Sequence, residues 1–116
     1  MRLLLLLLGG VAVFSGCATQ PVNYYYGQYS QTLYRSKKDE TPATLATHKK
    51  TLLEIIQKSA DKGYRVPPGI YLEYGYLLAK EGDKEADRYF SLEATTYPEA
   101  ARFVAFVRSQ ISAPKT

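Results

Sequence analysis

The stretch "PPGIYLEYGYLLAKEGDKEADRYFSLEATTYPEAA", Pro67 to Ala101, decides the fold. From Pro68 to Lys80 apolar side chains recur at helical spacing, with Ile70, Tyr74, Leu77 and Leu78 on one side. "KEGDKE" then reads as a tight helix–helix turn: Gly82 closes one helix and Asp83 caps the next. A second amphipathic run, Lys84 to about Thr96, places Ala86, Tyr89, Phe90 and Ala94 together, and Pro98 ends it by opening another helix. Two helices joined by so short a turn must lie antiparallel and bury their apolar faces against each other.

The same grammar extends outward in both directions. Upstream, Thr41 is placed to cap a helix whose first position is Pro42, where a missing N–H costs nothing. Leu45, Leu52 and Ile56 form its stripe, with Leu53 and Ala60 beside it, and Gly63 ends it. Before that, "NYYYGQYSQTLYRSKK" is expected to be helical from about Asn23 to Lys38, presenting Tyr26, Tyr29 and Leu33 with Tyr25 and Tyr34 alongside. Downstream, a last helix presents Phe103, Val104, Val107 and Ile111 and frays after residue 112. No segment alternates with period two for long. The expected class is all-α, about five amphipathic helices arranged as hairpins in a short solenoid or bundle spanning residues 23–112, with 113–116 a frayed tail.

The N-terminus has another character. Arg2 precedes an apolar run from Leu3 to Phe14, about 12 residues, which is too short to span a bilayer of ~30 Å as a helix. It fits a secretory signal. Phe14, Ser15 and Gly16 stand before the single cysteine, Cys17, and this resembles the bacterial lipobox. The resemblance implies removal of residues 1–16 and acylation of Cys17 on sulfur and then on nitrogen. Two or three acyl chains anchor a protein stably where one does not. Ala18 rather than Asp follows the cysteine, which by resemblance to Gram-negative sorting rules implies the periplasmic face of the outer membrane. Residues 17–22 are then a lipidated N-terminus and tether. Five residues, Ala18 to Val22, reach at most ~18 Å, so the domain is expected to sit against the membrane surface.

Composition narrows the function classes. The chain has 116 residues, enough for one small domain, with 11 Tyr, 4 Phe, no Trp and a formal charge of +4. The basic residues form only short clusters, Arg35-Ser36-Lys37-Lys38 and His48-Lys49-Lys50, so no nucleic-acid partner is expected. One cysteine excludes an internal disulfide. No phosphate loop, zinc spacing or nucleophile elbow is present. Glu81, Asp83, Glu85 and Asp87 lack the spacing of a calcium loop and read as a solvated helix turn. The single histidine, His48, reads as a buried or helix-edge side chain rather than a catalyst. No catalytic residue, metal site or cofactor is therefore expected, beyond covalent lipid on Cys17.

The Pro68–Ala101 segment resembles a tetratricopeptide repeat. Tyr74-Gly75, Gly82, Ala86, Phe90 and Pro98 follow that order of aromatic-small, turn, small, aromatic and terminating residues, over close to the ~34 residues of such a unit. Tyr26-Gly27 echoes Tyr74-Gly75, implying an earlier degenerate unit, with the last helix as a cap. The whole chain, through the lipobox, "YYYGQYSQTLY", "LEIIQKSADKGYRVPPGIYLEYGYLL" and "FSLEATTYPEAARF", resembles a family of small bacterial lipoproteins catalogued as domain of unknown function 4810. That resemblance implies an outer-membrane setting beside other lipoproteins, including curli-pore-like ones, and implies no activity. In a tetratricopeptide fold the first helix of each unit lines the concave surface, where Tyr is a favoured recognition residue. Tyr24, Tyr25, Tyr29 and Tyr71 are the candidate partner-binding residues. The expected function is a membrane-anchored, non-enzymatic interaction or scaffolding module of an outer-membrane complex. The alternatives are a self-associating structural lipoprotein, forming homo-oligomers, or an activator of a cell-wall enzyme.

Overall fold

A computed structural model describes residues 22–112. The expected leader 1–16, Cys17, the expected tether through residue 21 and the expected tail 113–116 lie outside the described residues. Five helices follow in order: α1 Tyr29–Lys38, α2 Pro42–Lys62, α3 Ile70–Lys80, α4 Ala86–Thr96 and α5 Ala101–Ser112, with a 3-10 turn Pro98–Ala100 leading into α5. Among the described residues there is no strand. Each helix packs on the next, and α5 also returns to α3, so the fold is an all-α array of hairpins closed by α5.

The helix ends follow local chemistry. Thr41 accepts the Thr44 N–H at 3.2 Å, while Thr44 Oγ1 accepts the Thr41 N–H at 3.0 Å, a reciprocal cap. Gly63 closes α2 with φ 66°, a conformation that costs glycine nothing. Asp83 Oδ1 accepts the Glu85 N–H at 2.9 Å, although α4 begins only at Ala86. The expected acidic turn is exposed and tied by ion pairs, Glu81 to Lys49 at 2.6 Å and Asp87 to Arg108 at 2.8 Å.

Two expectations need correction. α1 begins at Tyr29 and not near Asn23. Gly27 takes φ 50° with the Tyr25 ring folded over it, and residues 22–26 run along the bundle without helical bonding. The buried stripe of α2 is also rotated from the apolar one. His48, Thr51, Leu52, Ile55 and Ser59 are buried, whereas Leu45 and Ile56 are only partly covered and Ala60 is exposed. Counting apolar residues misses a face with polar members: His48 is paired to Thr32 and Glu73, Thr51 Oγ1 donates to Thr47 O at 3.2 Å, and Ser59 Oγ is buried without a partner among the described residues.

One core joins Leu52, Ile55, Val66, Ile70, Leu72, Tyr74, Leu78, Ala86, Phe90 and Val104. Each fully buried Leu or Ile contributes about 1.5–3 kcal/mol of transfer free energy. Gly75 permits a close approach of α3 and α4: a Cβ there would lie 3.0 Å from the Phe90 ring and 3.1 Å from the Ala86 carbonyl oxygen. Tyr97, at the end of α4, donates to Val66 O at 2.6 Å and locks the α2–α3 loop to α4. Burial pushes its hydroxyl pKa up strongly, and the neighbouring Tyr24 hydroxyl adds to this.

Candidate functional site

A chain of polar side chains crosses the interior between α1, α2 and α3. Tyr29 donates its hydroxyl to Glu73 Oε2 at 2.8 Å. His48 Nε2 meets Glu73 Oε1 at 2.5 Å, and His48 Nδ1 meets Thr32 Oγ1 at 2.8 Å. Burial alone would raise Glu73, but the hydrogen bonds from His48 and Tyr29 outweigh it, and the carboxyl titrates below its ordinary value. Tyr29 is pushed up to about 12 by burial and by its bond to that carboxylate.

Hydroxyl, imidazole and carboxylate in line superficially match a nucleophilic triad. The surroundings do not support that chemistry. Thr32 is 6% exposed and His48 2%, so the hydroxyl faces no substrate. Thr32 also lies inside α1, where backbone N–H groups are consumed by the helix and cannot serve an oxyanion. The network ties three helices together by satisfying both ring nitrogens of a buried histidine.

A second feature faces solvent. Gly69, the residue before α3, and Leu72, Glu73 and Tyr76 on α3 oppose Phe103, Phe106, Val107 and Gln110 on α5 across a groove of about 490 Å³. Both walls repeat at i, i+3, i+4 and i+7, so each presents one continuous stripe. Three large aromatics stand open along it: Tyr76 is 42% exposed, Phe103 58% and Phe106 56%. The two Phe rings stack at 6.3 Å. Glu73 belongs both to this groove and to the polar chain, so the network fixes one wall of the groove.

Below the start of α3, Glu93 Oε1 accepts the Gly69 N–H at 2.6 Å. Burial raises the Glu93 pKa, and the N–H groups of Gly69 and Leu72 partly offset this. The carboxyl thus caps α3 from α4 at the end of the groove.

The four tyrosines expected to bind a partner are all half-buried and fall into two separate groups. Tyr24 lies with its hydroxyl 3.4 Å from that of Tyr97, and Tyr25 donates to Glu54 at 3.3 Å. Tyr29 is held by Glu73. Tyr71 packs at 6.2 Å against Tyr89, on the side of α3 that meets α4. None of the four lines the α3–α5 groove. Phe103, expected inside, is exposed instead, because the buried line of α5 runs through Val104 with Val107 and Ile111 half-covered. The signal that could have shown the groove was the i, i+3, i+7 row Phe103, Phe106 and Gln110, which leaves two aromatics off the Val104 face.

Among the described residues no group of three or more His, Cys, Asp or Glu is arranged to hold a metal ion, and no helix is long and apolar enough to cross a membrane. A family model described as Domain of unknown function (DUF4810) matches residues 23–107, which begin ahead of α1 and end inside α5. Neither a curated protein nor a solved structure matches the chain.

Proposed function

The chain belongs to the DUF4810 family, and on that premise we propose that it is a membrane-anchored envelope lipoprotein, held by lipid on Cys17. Its work is non-enzymatic: it docks a partner protein in the α3–α5 groove within an outer-membrane complex. The observation that carries this reading is the set of three open aromatics, Tyr76, Phe103 and Phe106, walling a single groove. Exposed aromatic clusters of this kind serve recognition far more than stability. Two walls with helical spacing fit an amphipathic helix that brings its own i, i+3/i+4, i+7 apolar row. The burial of His48, 2% exposed and bonded on both ring nitrogens, supports a binding role over one resting on that histidine.

A photo-crosslinking residue placed at Tyr76, Phe103 or Phe106 in native envelopes is expected to capture one and the same partner. The same residue at Tyr34, exposed but remote on α1, is expected to capture nothing in common with them. The double variant Phe103→Ala, Phe106→Ala is expected to bind that partner about 30–100-fold more weakly, as the loss of central aromatic anchors requires. Its melting temperature should stay within a few degrees of the parent, since both rings are more than half exposed. Capture of a second copy of this chain would favour self-association instead. Unchanged partner binding by the double variant removes the groove from the reading.

A further inference from the structure

We propose that the face from which the N-terminal segment emerges is a built contact for anionic lipid headgroups, formed by Lys58, Lys62 and Arg65 around Tyr25 and Tyr97. This rests on the anchor reading of Cys17, and it assigns a second, electrostatic contact with the same membrane.

The described chain begins at Val22, which is 60% exposed. Only Ala18 to Asn23 separate Cys17 from Tyr24, the first side chain packed on the bundle. Six residues extend to about 20 Å, so the groups around Tyr24 and Tyr25 stay within about that distance of the lipid on Cys17. Three cations surround them. Lys58 and Lys62, one turn apart on α2, both lie 5.7 Å from the centre of the Tyr25 ring. Arg65, after the left-handed turn at Gly63, lies 5.6 Å from the centre of the Tyr97 ring, whose hydroxyl is 3.4 Å from that of Tyr24. The rings hold the charged groups by cation–π contact, and all three basic side chains remain exposed to solvent.

The acids on this stretch of α2 are Glu54 and Asp61. Glu54 accepts from Tyr25 and lies 3.7 Å from Lys58, so it offsets one cation in part. Lys62 and Arg65 have no ion pair within 4.0 Å among the described residues. Tyr64, 38% exposed beside Arg65, supplies the amphipathic ring that favours a membrane–water interface. Basic side chains beside a lipid anchor each add membrane affinity when the surface is anionic, and salt screens that gain. The consequence for the groove is orientation. The cationic face docks to the headgroups, and the anchor supplies the tether.

The chain contains no Trp, so Tyr64→Trp installs a single indole reporter beside Arg65. The test takes the full chain, purified in detergent and transferred to neutral phosphatidylcholine vesicles or to vesicles containing about 30% phosphatidylglycerol. Flotation reads the anchor, and quenching of the introduced indole by headgroup-labelled lipid reads the cationic face. The expected result is flotation with both vesicles, but quenching only with the anionic ones, abolished by about 0.5 M salt. Adding Lys58→Gln, Lys62→Gln and Arg65→Gln should raise the anionic-lipid fraction needed for half-maximal quenching several-fold, with the helical signal unchanged. Lys37→Gln with Lys38→Gln, at the far end of α1, should leave it unchanged. Quenching that is equal on neutral and anionic vesicles, or untouched by the triple substitution, overturns the proposal while the anchor stands. Failure to float on neutral vesicles, with salt-sensitive quenching retained on anionic ones, rejects the anchor and keeps the cationic face.

Discussion

Glu73→Ala is expected to lower unfolding free energy by about 2–3 kcal/mol, the size usual when buried polar groups are left without their hydrogen-bond partner. For a domain of this size that is a drop of about 10–20 °C in melting temperature. The loss has two sources. His48, 2% exposed, keeps an Nε2 with nothing to bond, and the Tyr29 hydroxyl loses its acceptor. Glu73→Gln retains an acceptor and should cost about 1 kcal/mol. The pair also fixes a pH signature. Because the folded Glu73 titrates below its ordinary value of 4.5, its ionised form stabilises the fold above that pH. The contribution disappears as pH falls through the lowered folded value. Tyr29 sets the alkaline limit with the opposite sign: raised from 10.0 to about 12, its neutral hydroxyl stabilises below pH 10, and that gain is lost as pH rises through 12. Thermal melts of parent and Glu73→Gln between pH 3 and 7 check the first limb. The parent should fall more steeply below about pH 4.5, so the two curves converge; parallel curves would show that Glu73 carries no such linkage.

This network also shows what a sequence can and cannot disclose. Helix number, the caps at Thr41 and Gly63 and the tight turn at Gly82 were legible, because each rests on local backbone chemistry. The start of α1 was not. Gly27 in "YYYGQY" reads equally as a small helical residue, and only the docking of Tyr24 and Tyr25 onto other elements favours its left-handed form. The face of α2 was missed for a related reason. His48, Thr51 and Ser59 count as polar in any periodicity, yet the first two are paired inside, and the partner of His48 lies 25 residues away at Glu73. Long-range pairing leaves no mark on local pattern. Of the candidate tyrosines, Tyr24, Tyr25 and Tyr29 contact other elements through their hydroxyls and Tyr71 through its ring, while Tyr76, Phe103 and Phe106 are the open aromatics of the groove. The exposure of the two Phe rings depends on α5 pivoting about Val104, which is fully buried.

Phe90→Ala is expected to cost about 3–5 kcal/mol, through lost burial and a cavity that α3 and α4 cannot close. Phe90 is 3% exposed, and its ring fills the space left by the missing side chain of Gly75. That relation makes a second substitution informative. Gly75→Val introduces a Cβ 3.0 Å from the ring and 3.1 Å from the Ala86 carbonyl oxygen, with two methyl groups beyond it. The ring could swing only by displacing core, and the carbonyl belongs to the backbone. Relief of helical glycine entropy, about 1 kcal/mol at most, does not offset overpacking of about 1–3 kcal/mol or more. In the double variant the ring is gone and the valine methyls enter its cavity, so one error fills the other. The combined loss should therefore fall short of the sum of the single losses by about 1 kcal/mol or more, which urea unfolding of the four chains in a cycle measures. A coupling within about 0.5 kcal/mol of zero would mean that α3 and α4 shift apart to accept the valine, and that glycine is not what sets their separation. Close approach at Gly75 predicts the larger value because the ring and the added side chain compete for a single volume, and relaxation elsewhere cannot create a second one in a core packed to crystal density.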